Sequence, residues 1–279
     1  MTRCISSTVL NCFRKGFQTN RFKSEMVRNS RVIARNLPSN LTHLCNDEIH
    51  LWIVQLDRSP MNDSWHLLSA DEQKRAGRFR FEVDRVRFAN GRSALRRILG
   101  GYLGAPPELL RFQYNAHGKP ALSQSPEAIQ FNVAHSREIA LIALARNIPI
   151  GVDLEAVRND LSIGDLAEGV LSRRELERFR TTTPDAQQLE FFKTWVVKEA
   201  FLKAIGKGLS VAPNSLEADS LPARRICVRE GFVAAVATPD HLPSCESLIF
   251  RDLGTSDESR PSQVNETITP VIKEPPCES

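Results

Sequence analysis

Long apolar runs are missing from this 279-residue chain, and no stretch approaches the roughly 18 consecutive apolar residues that a membrane-spanning helix needs. A membrane is therefore not expected as a partner. Ordered cysteine is missing too. Cys4, Cys12, Cys45, Cys227, Cys245 and Cys277 are scattered, with no CxxC pair and no histidine at metal-ligand spacing. That pattern argues against a disulfide framework or a zinc site and fits a reducing compartment. Strong net charge is absent as well, at only +4. With 41% hydrophobic and 25% charged residues, the composition suits one large domain or two small ones.

Acids are nearly absent from residues 1–45, where Glu25 stands alone against Arg3, Arg14, Lys15, Arg21, Lys23, Arg28, Arg31 and Arg35. A basic leader rich in Ser and Asn has the composition of an organelle transit peptide; the alternatives are a flexible leader, or a true start at Met26. The cytoplasm is the expected compartment, with a mitochondrion or plastid as the alternative. Residues 254–279 are rich in Ser, Pro and Glu and read as a disordered tail. Between these ends we expect an N-terminal lobe over 46–147 and a C-terminal lobe over 148–253.

The two lobes follow one plan. A strand pattern, "HLWIVQLD" (50–57), recurs as "PIGVDLE" (149–155). Each is followed by a helix with a capping-box signature, Ser69 with Glu72 and Ser172 with Glu175. Each lobe then reaches a helix ending in glycine, "RSALRRILGG" (92–101) and "KEAFLKAIGKG" (198–208). The offsets are 98 for the strands (54 to 152), 103 for the caps (69 to 172) and 106 for the helices (92 to 198), as a diverged duplication would leave them. Further strands are expected in "FQYNAHGKPAL" and "IQFNVAHS", in a hairpin of "IALIALA" with "IGVDLE" across "RNIP", and in "RICVRE" and "FVAAVAT". Strands and helices mix without strict alternation, which predicts an α+β fold of two pseudo-symmetric lobes.

Period two in "GVDLE" puts Val152 and Leu154 on one face of the strand and Asp153 and Glu155 on the other. Two neighbouring carboxylates repel unless a cation lies between them, and an all-oxygen donor set suits magnesium; a solvated acidic edge is the plain alternative. The first lobe has Gln55 and Asp57 at the matching positions, so only one lobe keeps the pair. In "WVVKEAFLKA" (195–204), Glu199 borders an apolar stripe of Phe192, Val196 and Ala200, and Lys203 follows one turn later. A surface Glu–Lys pair explains the spacing, and so does a buried carboxylate on a shared metal. Magnesium with lysines would hold a polyphosphate. A basic helix over 73–97 adds many arginines, and His117 and His135 lie in turn contexts beside Lys119 and Ser136.

With "HGKP", "FNVAHS", "GVDLE" and "WVVKEAFLKAIGKGLS" in this order, residues 48–238 resemble the Sfp-type 4'-phosphopantetheinyl transferases. The resemblance implies two pseudo-symmetric α+β lobes with an active site between them. It implies transfer of the phosphopantetheine arm of coenzyme A, the substrate, to a serine of an acyl or peptidyl carrier protein, as holo-carrier-protein synthases do. It implies magnesium at Asp153, Glu155 and Glu199, with Glu199 as the candidate base and Lys203 reaching the diphosphate and the leaving group. Arg75, Arg78, Lys119, Pro120, His135, Asp153, Lys198 and Lys203 are then the expected coenzyme contacts. Fatty-acid, polyketide, nonribosomal-peptide and aminoadipate pathways all use such carriers. Carrier proteins are typically acidic, which suits a mildly basic enzyme.

Two departures from the family's pattern stand out. Ala134 replaces a serine that would contact the coenzyme, and the segment 208–231 is short, which puts a hairpin of the second lobe in doubt. A chain with both lobes is expected to act as a monomer. A magnesium-dependent nuclease is the competing enzyme class, with the arginines of 73–97 on a phosphodiester backbone. It leaves "HGKP" and "FNVAHS" without a task and the basic run nearly free of interleaved aromatics, so nucleic acid is not expected as a partner. A non-catalytic coenzyme A- or carrier-binding protein of the same fold is the third reading.

Overall fold

The computed structural model describes residues 43–58, 64–123, 128–158 and 160–253. Most of the leader and all of the tail expected at 254–279 lie outside them. The chain runs β1 (Ile49–Gln55), α1 (Ala70–Ala76), α2 (Glu82–Leu103), β2 (Phe112–Tyr114), β3 (Pro120–Leu122), β4 (Ile129–Ser136), β5 (Ile139–Arg146) and β6 (Gly151–Ala156). It continues through α3 (Gly164–Val170), α4 (Arg173–Thr181), α5 (Pro184–Ile205), β7 (Ala223–Ile226), β8 (Phe232–Ala237) and β9 (Leu248–Asp252), with single 3-10 turns between.

Two sheets stand back to back. One has the order β4-β5-β1-β9 and the other β6-β8-β7, while β2 and β3 form a separate hairpin. Alternation along the strands sorts their side chains into three cores. Trp52, Val54, Ile142 and Leu144 face α2, where they meet Leu95, Ile98 and Leu99. Leu51, Leu141 and Ala143 face the other way and pack on Val152, Leu154, Ala234 and Val236 of the second sheet. Ala235 and Ala237 turn towards α5 and meet Phe192, Val196 and Ala200. The result is four layers, helix, sheet, sheet, helix, in which an apolar core joins the lobes. Each large side chain buried there contributes about 1.5–3 kcal/mol, so the lobes are welded rather than hinged.

Local signals account for the main elements. Pro184 opens α5 at its first turn, where a missing N–H does no harm, and Gly206 closes it at φ 68°. Gly104 closes α2 in the same left-handed conformation at φ 59°. Glu72 and Glu175 each reach back to the N–H of the preceding serine, so both caps form as expected. The continuous apolar run of β5 belongs to a strand buried on both faces between β4 and β1.

Several expectations need correction. β5 does not pair with β6 across "RNIP"; it pairs with β4 and β1, and residues 147–150 carry the chain from one sheet to the other. The turn of the β4–β5 hairpin is Arg137-Glu138, with Arg137 at positive φ. The basic helix expected over 73–97 is two helices, because the chain turns at Gly77–Phe81. Gly100 and Gly101 lie inside α2 rather than ending it. A side chain at 100 would come within 2.7 Å of the Ala105 carbonyl, so Gly100 admits the loop that follows the helix. β9 pairs in parallel with β1 and so belongs to the first lobe, not to the second lobe where the boundary at 253 put it. Leu44, assigned to the leader, is 2% exposed in the first lobe's core. In the short 208–231 segment, 3-10 turns fill the stretch before β7, and β7 pairs antiparallel with β8.

Candidate active site

The site depends on how closely β6 approaches α5. A Cβ at Gly151 would lie 2.0 Å from the Ala200 carbonyl and 2.4 Å from the Ala204 nitrogen. Only glycine on the strand, facing two alanines on the helix, permits that contact. Asp153 and Glu155 share the Gly151 face of the strand. Glu199 and Lys203 sit one position before Ala200 and Ala204. The small residues therefore bring the paired carboxylates of β6 against the acid and lysine of α5.

Asp153 is 5% exposed, so the plain reading of a solvated acidic edge does not apply. Its Oδ1 accepts from Lys203 Nζ at 2.5 Å. Its Oδ2 and the Oε1 of Glu199 are buried with no hydrogen-bond partner. Glu155 Oε2 accepts from the Ser136 hydroxyl at 3.0 Å. Burial, with the Asp153 charge beside it, pushes the Glu155 carboxyl up to about 8 despite the Ser136 hydrogen bond. Burial also pushes Glu199 up to about 7; Lys203 opposes this and Asp153 adds to it. Burial alone would lower Lys203, but the charges of Asp153, Glu199 and Glu155 carry its ammonium above the ordinary value.

Three crowded carboxylates share one lysine, and two of their buried oxygens lack partners. Such orphaned oxygens in an all-oxygen donor set are what a hard divalent cation satisfies, so the residues fit magnesium. Among the described residues, no three His, Cys, Asp or Glu side chains form a ready-made metal cluster.

The wall opposite is β4. Asn132 and Ser136 replace the sheet bonds that β6 lacks on this side: Val152 N–H donates to Asn132 Oδ1 at 2.9 Å and Ala156 N–H to Ser136 Oγ at 3.0 Å. Neither residue was expected to hold the site, although both stand in "FNVAHS". Ala134 lies between them, 4% exposed in the inter-sheet core, so its position packs rather than faces a ligand. His135 points the other way and is exposed at the mouth. Although its ring reaches solvent, desolvation by the protein packed around it lowers its pKa; Lys203, Arg75 and Arg87 lower it further and Asp153 opposes them, so these five groups share one region. Arg75 also lies over the Phe88 ring at 5.3 Å. Arg78 is exposed on the turn after α1. Pro120 opens β3 opposite Tyr114.

Two expected coenzyme contacts point elsewhere. Lys198 is 0% exposed, donates to the Val170 carbonyl at 2.8 Å and pairs with the Glu175 carboxylate. It lies beneath α4, not in the cleft, because neighbouring helical residues diverge by about 100° and Glu199 takes the cleft side. The first lobe has a counterpart in Glu72, paired with Arg92 and Arg96. Lys119 Nζ donates to the carbonyls of Ile150 (2.9 Å), Lys203 (2.6 Å) and Ala204 (3.4 Å), which occupies the three donors of an ammonium. Asp57, which matches Glu155, is held by a two-pronged Arg87 bond at 2.7 and 2.8 Å. That pairing neutralises the first lobe's acid. A separate hollow lined by Arg174, Glu177, Arg178, Glu217, Asp219 and Ser220 contains none of these groups.

Comparison with known proteins agrees with this arrangement. A family model described as "4'-phosphopantetheinyl transferase superfamily" matches residues 149–247, and one described as "4'-phosphopantetheinyl transferase, N-terminal" matches residues 55–147. The chain is 42% identical over 177 residues to the 4'-phosphopantetheinyl transferase HetI of Nostoc sp., covering 62% of this chain and 74% of that protein. It is 31% identical to the 4'-phosphopantetheinyl transferase psf-1 of Bacillus pumilus, covering 64% and 71%. It is 28% identical to the human L-aminoadipate-semialdehyde dehydrogenase-phosphopantetheinyl transferase, covering 58% and 57%. With both lobes matched, and the carboxylates and lysine gathered where the lobes meet, this chain belongs to the 4'-phosphopantetheinyl transferase superfamily.

Proposed function

We propose that this cleft moves the 4'-phosphopantetheine arm of coenzyme A to a serine of an apo carrier protein, leaving adenosine 3',5'-bisphosphate, with magnesium held by Asp153, Glu155 and Glu199. The observation that carries this reading is the cluster of three carboxylates and Lys203 between two lobes of a transferase family. The chemistry supplied by a bound magnesium ion there is charge neutralisation on the diphosphate under attack.

The chain's own residues do the rest. Glu199, raised towards neutrality by burial, accepts the proton of the attacking serine hydroxyl, directly or through water. Lys203 keeps its proton because acids surround it, so it stabilises the charge developing on the leaving bisphosphate rather than protonating it. Arg75 and His135 at the mouth, with Arg78 nearby, bind the nucleotide phosphates and align the reacting phosphorus. Lys198 and Lys119 are left out of the coenzyme contacts, since their amines are already occupied by other groups.

One chain supplies both walls of the cleft, which supports a monomer. The nuclease reading loses its basic surface in part, because Arg92 and Arg96 are taken up by Glu72. The non-catalytic reading has no support from relatives named as transferases. The test is an incubation with apo carrier protein, coenzyme A and magnesium, following the carrier's mass. Gain of one phosphopantetheine is expected. Coenzyme binding without gain would favour the non-catalytic protein, and nicking of added DNA the nuclease.

A further inference from the structure

The last turn of a helix leaves carbonyls without internal partners, and its dipole places partial negative charge there. At the end of α5 these carbonyls belong to the residues around Lys203, the cation of the site. The groups that satisfy them come from the other lobe. Asn115 Nδ2, at the tip of the β2–β3 hairpin, donates to the Gly206 carbonyl at 3.1 Å. Lys119 Nζ, from the same tip, donates to the carbonyls of Lys203 and Ala204 and also to Ile150, which leads into β6. One ammonium thus bridges the strand that carries Asp153 and the helix that carries Lys203.

The tip is built for this contact. Asn115 Oδ1 accepts from the N–H groups of His117 and Lys119, both at 2.9 Å, so one side chain shapes the turn and reaches across the lobes. On the other side, Gly206 and Gly208 take positive φ, at 68° and 51°. A Cβ at 208 would meet the His117 ring at 3.4 Å, and one at 206 would meet Asn115 Nδ2 at 3.5 Å. These are ordinary contact distances, so the glycines serve the left-handed backbone that turns the helix end towards the hairpin tip rather than a shortage of space.

We propose that the β2–β3 tip is an inter-lobe clasp in which Asn115 and Lys119 fix the last turn of α5, holding Lys203 and Glu199 in register with Asp153. Both are positioning residues, and the proposal rests on the transferase reading above. It replaces the expectation that Lys119 grips a coenzyme phosphate. Loss of the clasp lets Lys203 and Glu199 drift from the reacting geometry, which lowers turnover, whereas loss of a phosphate grip raises the Michaelis constant for coenzyme A.

Asn115→Asp tests this in the full chain, because aspartate keeps the acceptor that shapes the turn and removes the donor to Gly206. Steady-state transfer to apo carrier protein should show kcat lowered about tenfold with the coenzyme A KM within about twofold. Amide hydrogen exchange should speed up over residues 203–206 and stay unchanged in β4 and β5. Lys119→Met should give the same kcat-dominated loss, and Lys119→Arg should not restore full turnover, since a guanidinium does not fit three converging carbonyls. Unchanged kcat with unchanged exchange in Asn115→Asp overturns the clasp. So does Lys119→Met with a raised KM, normal kcat and full rescue by Lys119→Arg. If the wild-type chain itself loads no carrier, the transferase reading fails, and the exchange experiment still decides whether the clasp exists.

Discussion

Lys203 Nζ lies 2.5 Å from Asp153 Oδ1, so a cation carried by α5 is paired with the more buried acid of β6. The pair leaves Asp153 Oδ2 and Glu199 Oε1 without partners. Magnesium would complete what the lysine begins. Titrating it should therefore raise the melting temperature, by about 2.7 kcal/mol of stability at one hundred times the dissociation constant. Asp153→Asn should weaken that response at least tenfold in midpoint. A magnesium response identical in wild type and Asp153→Asn would place the ion elsewhere.

Glu199→Gln keeps the shape of the side chain and removes both the proposed base and one of the proposed metal ligands. Transfer should fall by about 10²- to 10⁴-fold. The melting temperature should hold or rise, because an unpartnered buried carboxylate becomes a neutral amide. A fully active variant, measured by carrier mass, would sink the assignment.

Gly151→Ala attacks the assembly rather than the chemistry. Its Cβ falls 2.0 Å from the Ala200 carbonyl, so strand and helix must separate. Overpacking of this kind costs about 1–3 kcal/mol or more in denaturant unfolding. Activity should fall further than stability explains, since Asp153 and Lys203 part together.

Lys198→Met removes the partner of Glu175 under α4. The carboxylate keeps the Ser172 and Ala218 N–H groups but stays buried without its counter-charge, which should cost about 3–5 kcal/mol. The coenzyme A KM of whatever folds should be unchanged. A raised KM with normal stability would return Lys198 to the cleft.

Glu72 offers a pH test in the first lobe. Burial would raise its carboxyl, but Arg92, Arg96 and the Ser69 N–H outweigh burial and hold it below the ordinary 4.5. An acid depressed in the folded state adds stability above 4.5, and that stability is lost as pH falls through the folded value. Glu72→Gln should be less stable than wild type at pH 7, and the gap should close as pH drops below 4.5. A gap independent of pH would show that packing, not charge, links α1 to α2.

Much of the site was written in local pattern. Alternation in "GVDLE" puts both acids on one face whatever the fold, and four residues separate Glu199 from Lys203 on any helix. The capping boxes and the two-lobe repeat were legible for the same reason, being short-range. Lys198 was not. α5 is buried nearly all round, so its apolar stripe names no single buried side, and only the packing of α4 shows which neighbour of Glu199 goes under. The partners of Lys119 were hidden because a turn lysine has no local acceptor, and the three carbonyls it meets lie 31, 84 and 85 residues away. The partners of β5 and β9 were hidden too, since an apolar strand records that it is buried but not beside what.

The sequence by itself determined which residues share a face and where the two capped helices, α1 and α4, begin, through periodicity and capping boxes. Tertiary structure alone decided which charges meet. Gly151 against Ala200 and Ala204 sets the distance between strand and helix, and at that distance the carboxylates are desolvated and two of their oxygens are left without hydrogen-bond partners.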